Sequence, residues 1–158
     1  MSGVTEEGKQ ETMHDEMRDR WELHDLALAY AEAIDAKDAD AVVRLFTDDA
    51  QFHAYDRANG KASGSEEIHT LVGTLLSAFS ATMHHVSGPR VEFLGPHHAR
   101  GIVSLTAWHE FMEERPDGIL WGRYLDDYVR VDGRWRIARR TLTVHGHQDF
   151  SFPWIAPA

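Results

Sequence analysis

The chain has no cysteine, no long apolar run and no block of basic residues, and each lack removes a class of function. Without cysteine there are no disulfides, thiol nucleophiles or thiolate metal sites, which fits a reducing compartment. No apolar stretch approaches the ~20 residues that a membrane span needs, and the first residues lack a signal-peptide core. The expectation is therefore a cytoplasmic protein with no membrane partner. A formal net charge of −10, with no compensating basic cluster, argues against nucleic-acid phosphates as a partner. No internal repeat or low-complexity tract is visible. What is present is ordinary: 158 residues, 42% hydrophobic and 27% charged, as expected of one globular domain.

Residues 1–17 are polar and without periodicity, and read as a disordered or loosely helical leader. A helix follows up to about Asp35, its Leu23, Leu26, Tyr30, Ala33 and Ile34 recurring at three- and four-residue steps. Asp38 is a plausible N-cap for a second helix carrying Val42, Val43, Leu45 and Phe46, which Thr47-Asp48-Asp49 should end. Gln51 to Tyr55 alternates like a strand, and Asn59-Gly60 signals a tight turn. Ser65 reads as the cap of a third helix, with Ile68, Leu71, Val72, Leu75, Leu76 and Phe79 inside.

The remainder reads as strands. Thr82 to Leu94 is interrupted near Gly88-Pro89, which suggests a bulge. Ala99 to Met112 puts Val103, Leu105, Ala107, His109 and Phe111 on one face. Past the turn at Pro116-Asp117-Gly118, Leu120 to Val131 and Arg134 to His147 form a hairpin around Asp132-Gly133. Helices first and a long meander after them predict an α+β domain. Residues 149–158 form an aromatic tail, and the sheet's uncovered face predicts self-association as a homodimer or homotrimer.

The candidate chemistry starts at Asp35, the last residue of the apolar helix. Carbonyl groups at that end disfavour a carboxylate, so its pKa is expected to rise. A carboxylate with a histidine to work with suits proton abstraction. His84 and His85 alternate, so only one of them can face a pocket, and alternation alone leaves the choice open. Strict alternation from Trp135 and Ile137 favours Arg139 over Arg140 for the inner face. Tyr30 and His109 share faces with apolar residues and are candidates for the pocket or for the core. His145-Gly146-His147 has strand-ligand spacing but no third ligand at readable distance, so no metal is expected.

Together, Tyr30…Asp35, Leu45-Phe46-Thr47-Asp48-Asp49-Ala50, Thr82-Met83-His84 and Tyr124…Asp132-Gly133-Arg134-Trp135-Arg136-Ile137 carry a resemblance. Over residues 18–148 the chain resembles the SnoaL-like branch of the nuclear transport factor 2 (NTF2)-like superfamily. The resemblance implies a cone-shaped α+β roll: helices on a curved, mainly antiparallel sheet that encloses one pocket. The functional pattern looks like that of scytalone dehydratase, bile acid 7α-dehydratase and hexachlorocyclohexane dehydrochlorinase. It implies Asp35 and His84 as a catalytic pair, assisted by Tyr30 and His109, with Arg140 at the substrate. One position departs: the acidic residue of the bile acid enzyme appears here as Ala107 or a neighbour.

Phe52, Tyr55, Trp108 and Tyr124 are expected among the aromatic residues that contact substrate. The function implied is a cofactor-independent lyase of the dehydratase type, acting on a small cyclic or polycyclic apolar molecule. The alternatives are an isomerase or cyclase of a polyketide- or steroid-like substrate, or a non-catalytic binding module or small subunit of a ring-hydroxylating dioxygenase.

Overall fold

The computed structural model describes residues 6–55 and 60–150, with side chains from Asp15 onward. The expected turn residue Asn59, and the aromatic tail past Phe150, lie outside the described residues.

Helix α1 (Glu6–Asp35) begins well before the apolar stripe, within the segment read as a leader. Its inner face buries Leu23, Leu26, Ala27, Tyr30, Ala33 and Ile34. The helix stops in a Schellman-type turn: Asp38 N donates to Ala33 O, and Lys37 N donates to Ile34 O, both at 2.9 Å. Lys37 takes the left-handed position (φ 56) that glycine usually fills. Its ammonium donates to the carbonyl of Phe79, which ties this costly conformation to the sheet. Asp35 is thereby fixed as the last helical residue.

Asp38 caps α2 (Ala39–Val43), accepting from Ala41 N at 2.8 Å. This helix is shorter than expected, because Phe46 already opens strand β1 (Phe46–His53). Thr47-Asp48-Asp49 therefore lies within a strand instead of ending a helix. After β2 (Lys61–Ser63) comes α3 (Ser65–Leu76). Its N-cap is Gly64 at φ 80, and the expected cap Ser65 is its first helical residue. Glu67 closes the entry by accepting from Ser63 N at 2.8 Å.

The rest is β3 (Phe79–Val86), β4 (Arg90–Gly95), β5 (His98–Phe111), β6 (Gly118–Val131) and β7 (Arg134–Gln148). They join one seven-stranded sheet in the order β2-β1-β7-β6-β5-β3, with β4 also on β5. Only the β1–β7 pairing is parallel. The architecture is α+β, with few helices packed on a curved, mostly antiparallel sheet.

The bulge expected at Gly88-Pro89 is a full interruption. β3 and β4 run consecutively along β5, and Ser87 bridges the gap by donating from its N to Ser104 O and accepting from Ser104 N. True bulges occur in β7, where Ala138 and His145 are the extra residues against β6. The β6–β7 turn follows the sequence, with Asp132 (φ 50) and Gly133 (φ 77) in the positive-φ pair of a tight hairpin. No described helix is long and apolar enough to cross a membrane.

Candidate active site

The inner face of the sheet, α1 and α3 enclose a cavity of about 100 Å³. Its lining is mostly apolar, including Ile34, Phe52, Val72, Leu105, Leu120 and Leu142, with Tyr30, Thr82, His84, His109 and Tyr124 as the polar exceptions. Tyr55 and Phe150 also line it, and Gly60 and Gly118 make room for their rings. A Cβ would meet the Tyr55 ring at 2.4 Å from Gly60, and Phe150 at 2.8 Å from Gly118.

Alternation along β3 sends Thr82 and His84 inward and leaves Met83 and His85 exposed. The choice between the two histidines is thus decided for His84. Asp35 at the end of α1 meets both inward residues. Its Oδ1 lies 2.6 Å from His84 Nδ1 and accepts from Thr82 Oγ1 at 2.8 Å, while its Oδ2 accepts from His84 N at 2.8 Å. A carboxylate can only accept, so Nδ1 carries the proton of this contact and Nε2 is the ring nitrogen left for a further partner. Ala107 stands directly across from His84 in the β3–β5 ladder, and its small side chain leaves the imidazole room.

The electrostatics reverse one expectation. Burial pushes the Asp35 carboxyl up, but hydrogen bonds from the His84 ring and amide, the His84 charge and the Thr82 hydroxyl outweigh it. Asp35 is held below its usual pKa. The helix-end argument fails because three hydrogen-bond donors from β3 converge on the carboxylate and favour its charged form.

His109, across the ladder from Thr82, packs between Phe79 and Phe150, each ring centroid 4.6 Å away. Burial, with the His84 charge adding to it, lowers its pKa to about 3. The ring is neutral near neutral pH, so it offers a hydrogen bond and not the proton of an imidazolium. Its Nδ1 is buried and makes no hydrogen bond among the described residues.

Tyr30 and Tyr124 meet edge to face with centroids 5.4 Å apart. Burial raises both phenols, against the opposing pull of Arg140, so both remain protonated donors. Arg140 itself departs from the expected position. It does not line the cavity but stands behind it, its guanidinium carbon 4.1 Å from the Tyr30 ring and 4.3 Å from that of Tyr124. There it forms a bidentate pair with Asp126, through Nε to Oδ1 at 2.8 Å and Nη2 to Oδ2 at 2.7 Å. Tyr128 donates to the same carboxylate at 2.7 Å. The Ala138 bulge shifts the alternation by one residue, which turns Arg140 inward and Arg139 out.

Trp108 is a second correction. It neighbours inward-facing His109, so the pleat sends it to the outer face, where its indole donates to Asp117 at 3.1 Å. The sequence reading assigns no role to Asp126, Tyr128 or Thr82. The signal for the first two was available, since Tyr124, Asp126 and Tyr128 share one face by simple alternation. His145 and His147 are exposed on β7, and no group of three metal-ligating side chains occurs among the described residues.

The sequence profile of the SnoaL-like domain matches residues 15–141. The chain belongs to the SnoaL-like family. It is 29% identical over 129 residues to an uncharacterized protein of Mycobacterium tuberculosis (strain H37Rv), covering 81% of this chain and 86% of that one. The structure of a candidate scytalone dehydratase from Novosphingobium aromaticivorans is similar at a TM-score of 0.79 and 28% identity, over 94% of this chain and 99% of that one. Hexachlorocyclohexane dehydrochlorinase LinA-type3 from Novosphingobium barchaimii shares the fold at a TM-score of 0.77 and 19% identity, over 91% of this chain and 98% of that one. An NTF2-like superfamily protein from Salmonella enterica does so at 0.73 and 16%, over 81% and 92%. The family domain is a small-molecule-binding one.

Proposed function

We propose that this protein is a cofactor-independent lyase that eliminates water from a small cyclic or polycyclic apolar substrate. The observation that carries the reading is the 2.6 Å contact between Asp35 and His84, with His84 in the lining of a mostly apolar cavity. His84 Nε2 takes a proton from a carbon beside an activating group, and the charge of Asp35 stabilises the imidazolium that forms. The electron pair of that C–H bond becomes the new double bond as the C–O bond breaks. The leaving oxygen takes a hydrogen bond from the Tyr30 or Tyr124 phenol, or from neutral His109, and accepts the proton that His84 abstracted, so that it departs as water and His84 returns to its starting form. Phe52, Tyr55 and Tyr124 contact the ring system of the substrate. The scytalone dehydratase-like neighbour supports this chemistry at the level of the family. The chain works as a small homo-oligomer.

The test is a panel of cyclic β-hydroxy ketones incubated with the protein in deuterated water. Turnover is read by mass and by absorbance of the conjugated product. Loss of 18 mass units is the expected result, and His84→Ala should slow it by about 10²–10⁴-fold. Deuterium uptake or a shifted double bond without loss of water would replace elimination with isomerisation. No exchange with any member of the panel, while the ligands still bind, would leave a binding module.

A further inference from the structure

The strand that carries Thr82 and His84 is an edge strand. β3 ends the sheet order, with β5 on one side and no strand on the other among the described residues. Its open edge is tied to the end of α1 through two residues, Asp35 and Lys37. Asp35 accepts from Thr82 Oγ1 and from His84 N, each at 2.8 Å, and meets the His84 ring. Lys37 donates from its ammonium to the Phe79 carbonyl. The Asp35 contacts all run through the reactive carboxylate, whereas the Lys37 contact involves neither carboxylate nor imidazole.

The backbone at Lys37 makes that contact informative. Its φ of 56 lies in the left-handed region, which is costly for any residue with a Cβ. The Schellman-type turn after Ile34 needs that conformation at this place, but nothing in the turn needs a lysine. Glycine would meet the need without strain. Lys37 is exposed, so core packing does not demand a long side chain either. What the lysine adds is its reach to Phe79.

That reach lands where β3 is held least firmly by its neighbour, because the β3–β5 register shifts between Phe79 and Ala81. Phe79 stands three residues before Thr82, so the Lys37 tie lies about 10 Å along the strand from the first Asp35 contact. One tie lets an edge strand pivot, and two fix its height against the helix. The Phe79 ring also packs on His109 at 4.6 Å, so the same tie steadies that wall of the cavity.

We propose that Lys37 is a positioning residue for the Asp35–His84 pair: by holding the start of β3 against the end of α1, it sets the distance and angle at which carboxylate and imidazole meet. The strain is retained beside the pair because an unstrained glycine would release the strand. Its effect on turnover rests on the lyase reading above; its effect on the pair does not.

Three variants of the full chain separate the tie from the strain. Lys37→Met keeps the length and the strain and removes the ammonium. Lys37→Gly removes both, and Lys37→Arg keeps a cationic donor. Each is measured for kcat and KM, for melting temperature, and for the NMR resonance of the His84 Nδ1 proton, which a 2.6 Å contact with a carboxylate moves downfield. Lys37→Met and Lys37→Gly should lower kcat alike, by about three- to tenfold, with a smaller change in KM. In both, the His84 resonance should move upfield. Lys37→Gly should still melt higher than Lys37→Met, because glycine enters the left-handed turn without strain. Lys37→Arg should stay near wild type in all three readings. A merely structural lysine gives another pattern, in which turnover follows melting temperature and Lys37→Gly is fully active. That pattern, or a His84 resonance unmoved in Lys37→Met, overturns the proposal. If the wild type turns over no member of the hydroxy ketone panel, the resonance decides alone: a shift keeps the positioning role and fails only the reaction.

Discussion

The Asp126–Arg140 and Asp35–His84 pairs lie close to the same cavity, and they are built in opposite ways. Asp126 and Arg140 are 0% and 1% exposed, while Asp35 and His84 are 26% and 9% exposed. In the first pair the base never gives up its proton, and burial is answered by the bidentate Asp126 contact and two flanking tyrosine rings. In the second, the base is an imidazole with one nitrogen held and one left over. The comparison separates two uses of one charge motif. A closed pair backs the Tyr30 and Tyr124 rings, and an open pair beside them leaves one imidazole nitrogen for a further partner.

His84→Ala breaks the open pair and gives the largest expected effect, the 10²–10⁴-fold loss of turnover already stated, with a small change in melting temperature. Asp126→Ala breaks the closed pair and should show the reverse. It strands the buried Arg140 charge, at a cost of about 3–5 kcal/mol in urea unfolding. Activity per folded molecule should fall less than for His84→Ala. Equal stability losses in the two variants would erase the distinction between the pairs.

How far this contrast could be read from the sequence depends on range. The α1 stripe, the Asp132-Gly133 hairpin and the inward face of β5 were legible, because local periodicity and turn chemistry decide them. The Asp35 and His84 positions came from a motif spread over two elements. Arg140 was obscured because one bulge at Ala138 inverts the alternation, and nothing in Ala138 announces it. The lowered pKa of Asp35 was hidden for another reason. A helix end is visible in sequence, but the Thr82 and His84 donors reach it from a strand nearly fifty residues away.

Acid should expose the next difference. His109 titrates near 3 when folded and near 6.5 when free, so the unfolded chain binds the extra proton between those values. Stability that is present above pH 6.5 is therefore lost as pH falls, by about 2 kcal/mol at pH 5 from this residue. His109→Phe should flatten the drop in unfolding free energy between pH 7 and pH 5 by that amount. Asp35 acts in the same sense but lower, because its depressed pKa holds its contribution until pH falls through the carboxylate range. A His109→Phe profile parallel to wild type would mean that the ring is protonated in the folded protein.

The smallest effect sharpens the open pair itself. Thr82 donates to the Asp35 oxygen that also meets the His84 ring, so it shares in holding both charge and geometry. Thr82→Val keeps the shape and removes the donor. One neutral hydroxyl on a carboxylate contributes about 1.5–3 kcal/mol when buried, and less here because Asp35 is partly open to water. The expected result is a modest fall in melting temperature, turnover reduced by about tenfold at most, and an Asp35 carboxyl carbon that titrates at higher pH by NMR. Thr82→Ser should return all three toward wild type. If the Asp35 titration does not move in Thr82→Val, the carboxylate is held by His84 alone, and Thr82 belongs with the packing of the cavity wall.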